Sequence, residues 1–318
     1  MTNGLPKKMS GNPVILPDTP TGGRLTLSFK ALLELTKCHL SLYIALSATS
    51  GHVLAAGRFS LDSLIIGGLT LLLSCGSAVL NNIQDRVWDN GSARTRTRVL
   101  VTHCNMAPRA AVLAAVLIFS GLGGLFFFCA SPVPFYLGTA AIGLYNGLYT
   151  PLKKYTLWAM VPGTLCGMIP PAMGWTAVPT GISASDVSGL WIVMAALGFW
   201  QLPHYLLISL RHSVVDDGGQ GGGSERPGFN QIWSPEEIRW QVLIWTGLFS
   251  LSMILFQVKG WIVSPGLAIG NMAVAVLLPF AMGGMLTPAG GKRRTGLCLA
   301  MINLSMLGFL SIAVLDRI

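Results

Sequence analysis

A chain of 318 residues with only 10% charged side chains, against 52% hydrophobic ones, cannot cover the surface of a soluble globule. The mean hydropathy of +0.61 and the gathering of apolar residues into long blocks point to helices that face lipid. The formal charge of +9 lies in short basic clusters between those blocks, which excludes a continuous nucleic-acid-binding face. Six cysteines (Cys38, Cys75, Cys104, Cys129, Cys166 and Cys298) stand singly, with no CxxC pair, so neither a disulfide framework nor a zinc site is supported.

Lys7 and Lys8 precede a polar stretch rich in Gly, Pro and Thr, with no apolar core of a cleavable signal. Residues 1–30 are expected to form a disordered cytoplasmic tail, and 31–318 a single transmembrane domain. A span needs about 20 apolar residues. That criterion predicts an all-α integral membrane protein of about nine helices, at 32–56, 61–83, 109–130, 133–151, 157–178, 187–210, 239–258, 262–286 and 295–315. The third and fourth are joined by Ala130-Ser131-Pro132-Val133-Pro134, a tight turn.

Nine spans place alternate loops on one side, and that side takes every Lys and Arg except Arg58, Lys259 and Arg317. The positive-inside rule makes it cytoplasmic, with the N-terminus inside and the C-terminus on the opposite face. In a bacterial cell the membrane is the inner one. Two longer cytoplasmic connections, 84–108 and 211–238, both begin with acidic residues, and the second contains a glycine-rich run at 218–224.

The first of these carries chemistry. Asn81, Asp85 and Asp89 are spaced i, i+4, i+8 and fall within about 80° of one another on a helix. Carboxylates at a membrane helix end, with an amide oxygen beside them, match the oxygen ligands that Mg²⁺ takes when it bridges to phosphates. The other reading is a solvated helix end whose acids pair with Arg86 or Arg94. Arg94, Arg96 and Arg98 follow closely, and Lys153 and Lys154 close the fourth span on the same side, an arrangement that suits a diphosphate. Farther on, Phe199-Trp200-Gln201-Leu202-Pro203-His204-Tyr205 puts a proline and two polar side chains inside an apolar span. Gln201 and His204 are costly against lipid and are expected to face the bundle interior. There His204 is a packing residue, a general base, a substrate contact or a heme ligand.

These blocks together resemble the protoheme IX farnesyltransferase (heme O synthase) branch of the UbiA-type intramembrane prenyltransferases. Asn81, Asp85 and Asp89 followed by Arg94-Thr95 and Arg98 stand in that family's register. Leu35-Thr36-Lys37, Tyr149-Thr150 with Lys153, Lys154 and Thr156, and Pro170-Pro171 with Gly174 match further blocks. Trp200 to His204 is the block that separates the heme-modifying branch from quinone-modifying relatives. The chain departs from the family at Lys37-Cys38-His39, at Val99, and through the loop that holds Asp216 and Asp217.

The resemblance implies transfer of a farnesyl group from farnesyl diphosphate to a vinyl group of heme B, within the lipid bilayer and with Mg²⁺ as cofactor. Asn81, Asp85, Asp89 and Lys153 would serve catalysis, with Arg94, Arg98, Lys153 and Lys154 on the diphosphate. Trp200, Gln201 and His204 would contact the heme, and Asp216 and Asp217 would carry a second Mg²⁺. Partners would be a downstream heme A synthase or terminal oxidase assembly, with no role for nucleic acid. Rival readings are a prenyltransferase for a quinone precursor, and a non-catalytic heme carrier or transporter.

Overall fold

The computed structural model describes residues 29–91, 95–179, 184–216, 232–287 and 291–318, and among them every regular element is helical. The tail up to residue 28, Arg94, Asp217 and the glycine-rich run lie outside the described residues. In chain order the helices are α1 (Phe29–Leu35), α2 (Cys38–Ala56), α3 (Leu61–Asn90), α4 (Val99–Thr102), α5 (Ala107–Phe128) and α6 (Val133–Ile142). Then come α7 (Thr150–Leu152), α8 (Met160–Thr176), α9 (Ala184–Asp216), α10 (Pro235–Val258), α11 (Pro265–Met285) and α12 (Gly291–Leu315).

Among the described residues, six helices are long and apolar enough to cross a membrane: α3, the stretch from Cys104 through α5, Val187–Arg211 of α9, α10, α11 and α12. Their outward faces carry large apolar side chains, such as Phe119, Phe127, Phe280 and Leu304, which water would not tolerate as a continuous surface. The chain is an integral membrane protein.

The expected count of nine spans is not confirmed: the segments expected as the first, fourth and fifth are broken or shortened helices outside those six. The first breaks into α1 and α2 at Thr36 and Lys37, where Lys37 takes a left-handed conformation (φ 47°, ψ 49°). For a residue with a Cβ this costs about 1–2 kcal/mol. The fourth passes from α6 into a π-helix at Gly143–Tyr149 before the short α7. Pro151 has no N–H for the carbonyl four residues back, and its ring crowds that carbonyl, which favours the widened turn. The fifth is shortened to the 17 residues of α8, with Pro170 and Pro171 inside it.

Helix starts are locally encoded. Ser60 with Ser63 and Ser234 with Glu237 form reciprocal capping boxes at α3 and α10. Packing is governed by small residues. Cβ atoms added to Gly51 and Gly174 would overlap the carbonyl oxygens of Pro171 and Ala48, so α2 and α8 meet backbone to backbone. α3 packs on both α2 and α5, while α9 joins α8, α10 and α12. A buried aromatic and methionine cluster, including Phe249, Met253, Phe256 and Phe309, binds α10 to α12. α12 returns to touch α2, leaving a chamber between α2, α8, α9 and α12.

Candidate active site

The C-terminal end of α3 presents Asn81, Asp85 and Asp89 along one face, and all three are at most 1% exposed. Asp85 Oδ2 accepts hydrogen bonds from Lys153 Nζ at 2.5 Å and from Asn81 Nδ2 at 3.3 Å. Lys154 Nζ stands 3.7 Å from Asp85 Oδ1 and donates to the Gln84 carbonyl at 2.9 Å. Asp89 Oδ2 accepts from Arg98 Nη1 at 2.6 Å, and Thr95 closes the turn by donating to the Asp89 carbonyl at 2.9 Å. The acids therefore pair with Arg98 and Lys153, not with Arg86, whose side chain is exposed.

The break at Lys37 has a visible purpose. It turns the side chain onto α3, where Lys37 Nζ donates to Asn81 Oδ1 at 2.5 Å. The π-helix acts similarly from the other side. Asn146 donates to the Ser77 carbonyl at 3.0 Å and to Gln84 Oε1 at 3.2 Å, and Gln84 Nε2 returns a bond to the Asn146 carbonyl at 3.0 Å. These amides lock the π-helix to α3, so α7 ends with Lys153 and Lys154 over Asp85. Thr150 completes the tie: its hydroxyl accepts from Asn81 Nδ2 at 2.9 Å and donates to the Tyr145 carbonyl at 2.8 Å.

Two carboxylates thus sit among four cations: Lys37, Lys153, Lys154 and Arg98. Burying charge is tolerable only because every carboxylate has an opposite charge beside it. The surplus of positive charge suits an anion richer in charge than the two acids. For Mg²⁺ the donor set fits in kind: two carboxylates and an amide oxygen, all hard oxygen ligands. Among the described residues no group of three or more His, Cys, Asp or Glu side chains is gathered for a metal.

The block from Trp200 to His204 stands apart from this cluster, on the wall of a largely apolar cavity of about 600 Å³. Gln201 Nε2 donates to the Leu197 carbonyl at 3.2 Å, and the missing side chain at Gly167 leaves the space its amide occupies. His204 Nδ1 lies 2.8 Å from Asn303 Oδ1 on α12, and the Trp200 ring packs 5.2 Å from the imidazole. Trp200 Nε1 is enclosed and has no hydrogen-bond partner among the described residues. A second, narrower cavity of about 90 Å³ runs along α3 past Ser77, one turn from Asn81. The two cavities share Leu40, Ile44, Tyr145, Cys166, Gly167 and Pro170 as a common wall. Asp216 closes α9, with its side chain outside the described residues, as is Asp217.

Lys37, Gln84, Asn146, Thr150 and Asn303 were not among the site residues expected from the sequence. Asn146 and Asn303 carried a usable signal, each being the one amide in an otherwise apolar expected span. Lys37 stood in a block that matches the family, but its left-handed backbone, which brings it to Asn81, cannot be read from composition.

The family model for the UbiA prenyltransferase family matches residues 44–304. A protoheme IX farnesyltransferase of Oleidesulfovibrio alaskensis is 27% identical over 296 residues, covering 91% of this chain and 97% of that one. Among solved structures, a digeranylgeranylglyceryl phosphate synthase superimposes with a TM-score of 0.69 at 14% identity, covering 91% of this chain and 98% of that one. A UbiA homolog from Archaeoglobus fulgidus bound to GPP and Mg²⁺ gives 0.60 at 12% identity, covering 90% and 99%.

Proposed function

This chain belongs to the UbiA prenyltransferase family, and from that premise we propose that it moves a farnesyl group from farnesyl diphosphate to a vinyl group of heme B, giving heme O. The observation that carries the reading is the pairing of two sites. A buried acid–base cluster lies one turn of α3 beyond a narrow apolar cavity, and a second cavity of about 600 Å³ is lined by His204. The farnesyl acceptor is further supported by relatives of that name.

Asn81, Asp85 and Asp89 would hold Mg²⁺, which supplies Lewis-acid neutralisation of the leaving diphosphate. Lys153, Lys154, Arg98 and Arg94 would bind the diphosphate oxygens, and Lys37 joins them by position. As the C1–O bond breaks, its electron pair leaves with the diphosphate, and charge grows on oxygens that these cations already face. Fixed cations in a water-poor site need no reorganisation at that moment. The allylic cation left behind is protected by the apolar walls, since water would trap it as an alcohol. The vinyl π electrons then form the new carbon–carbon bond. The resulting cation on the macrocycle side takes the oxygen of one water molecule, which loses a proton to give the hydroxyethyl product.

His204 would position or ligate the heme, with Trp200 and Gln201 shaping the same wall. Asp216 and Asp217 would add a second Mg²⁺ if their loop covers the site. By the positive-inside rule this chemistry would lie at the cytoplasmic face, with the N-terminus inside, the C-terminus outside, and residues 31–318 acting as one domain.

The test is incubation of membranes carrying the protein with farnesyl diphosphate, Mg²⁺ and heme B, followed by mass spectrometry of extracted pigments. Heme O is the expected product. Absence of heme O together with prenylation of a quinone precursor in parallel assays would overturn the acceptor.

A further inference from the structure

We propose that Asn303 is a positioning residue for the acceptor, holding His204 in the tautomer that offers a ring nitrogen to the iron of a metalloporphyrin. The inference rests on the reading of the large cavity as the heme chamber.

Asn303 is half-buried in α12, lines the cavity, and is the one amide of that helix. An amide inside a bilayer-spanning helix is costly unless it is paired. Its partner comes from 99 residues away: Asn303 Oδ1 lies 2.8 Å from His204 Nδ1. An amide oxygen has no proton to give, so the contact places the proton on Nδ1. The neutral ring then carries its lone pair on Nε2. Among the described residues Nε2 has no hydrogen-bond partner, and His204 lines the cavity. The Trp200 ring, at 5.2 Å, limits rotation of the imidazole away from that pose.

A histidine that ligates a metal usually donates its other ring N–H to an acceptor, which fixes both tautomer and orientation. The acceptor here is neutral. A carboxylate in that place would push charge into the ring and hold iron more tightly. A neutral amide leaves a weaker ligand, which suits a porphyrin that arrives as substrate and must depart as product.

The experiment titrates ferric heme, and separately metal-free protoporphyrin IX, into the full chain in lipid nanodiscs, following the Soret band and the ferric electron-spin signal. Nitrogen ligation is expected in the parent and lost in His204→Ala. Asn303→Leu is expected to bind ferric heme 10–100-fold more weakly, while binding metal-free protoporphyrin as the parent does. Asn303→Asp is expected to keep ligation with a more negative heme reduction potential. Binding of Mg²⁺ and farnesyl thiodiphosphate by the same preparations reports an intact fold.

Parental ferric-heme affinity and spectrum in Asn303→Leu would overturn the proposal, as would equal loss of both porphyrins. Should Asn303→Leu fail to fold, an unchanged potential in Asn303→Asp overturns it instead. Either result alongside heme O formation removes only the role of Asn303. Asn303-dependent iron ligation in a protein that prenylates some other acceptor would remove only the proposed activity.

Discussion

Lys153 Nζ and Asp85 Oδ2 lie 2.5 Å apart across 68 residues of sequence, with each side chain less than a tenth exposed. On the proposed function, a cation that would bind diphosphate is thus kept in place by the carboxylate that would hold the metal, and substrate with Mg²⁺ would exchange one set of charge pairs for another. Asp85→Asn and Asp89→Asn are each expected to lower prenyl transfer by at least about 10²–10³-fold, with the protein still inserted. Heme O in membranes is the measurement. Parental turnover in the double variant would sink the metal reading. Chelation of Mg²⁺ should abolish turnover in the parent and be reversed by adding the ion back.

Lys37 separates stability from activity. Lys37→Gly removes the left-handed strain, about 1 kcal/mol, and with it the ammonium on Asn81 Oδ1. The variant is expected to match or exceed the parent in thermal melting. Its KM for farnesyl diphosphate should rise about tenfold or more, the worth of one hydrogen bond to a charged group. An unchanged KM would show that Lys37 is structural only.

Gly174 and Gly68 make a matched pair. A Cβ at Gly174 overlaps the Ala48 carbonyl, whereas a Cβ at Gly68 meets nothing within 4 Å. Gly174→Ala should destabilise the protein by about 1–3 kcal/mol through overpacking of α2 on α8. Gly68→Ala should be neutral or slightly stabilising, since it favours the helix. Melting curves of the two variants in one detergent decide this, and similar midpoints would contradict the backbone contact.

His204→Ala is expected to weaken heme binding while leaving binding of farnesyl diphosphate close to the parent's, because His204 lines the large cavity and has no contact with the acid–base cluster among the described residues. Calorimetric titration of each ligand measures both. Equal heme curves for variant and parent would remove His204 from acceptor binding.

By itself the sequence determined what depends on local periodicity and on solvent. Low charge and long apolar blocks required lipid around the chain. The i, i+4, i+8 spacing put Asn81, Asp85 and Asp89 on one face whatever surrounded them, and proline, Gln201 and His204 marked a span with an inward duty. Tertiary structure decided the partners. Nothing local selects Arg98 over Arg86, brings Lys37 to Asn81 across 44 residues, or seats His204 on Asn303. The breaks that achieve this escape a hydropathy reading, because one left-handed lysine or one π-turn leaves the average of a 20-residue window unchanged. Asp85 and Asp89 were legible as a pair. The four cations that make them a buried, charge-paired cluster, rather than a solvated helix end, came together only when α1, α4 and α7 folded onto the end of α3.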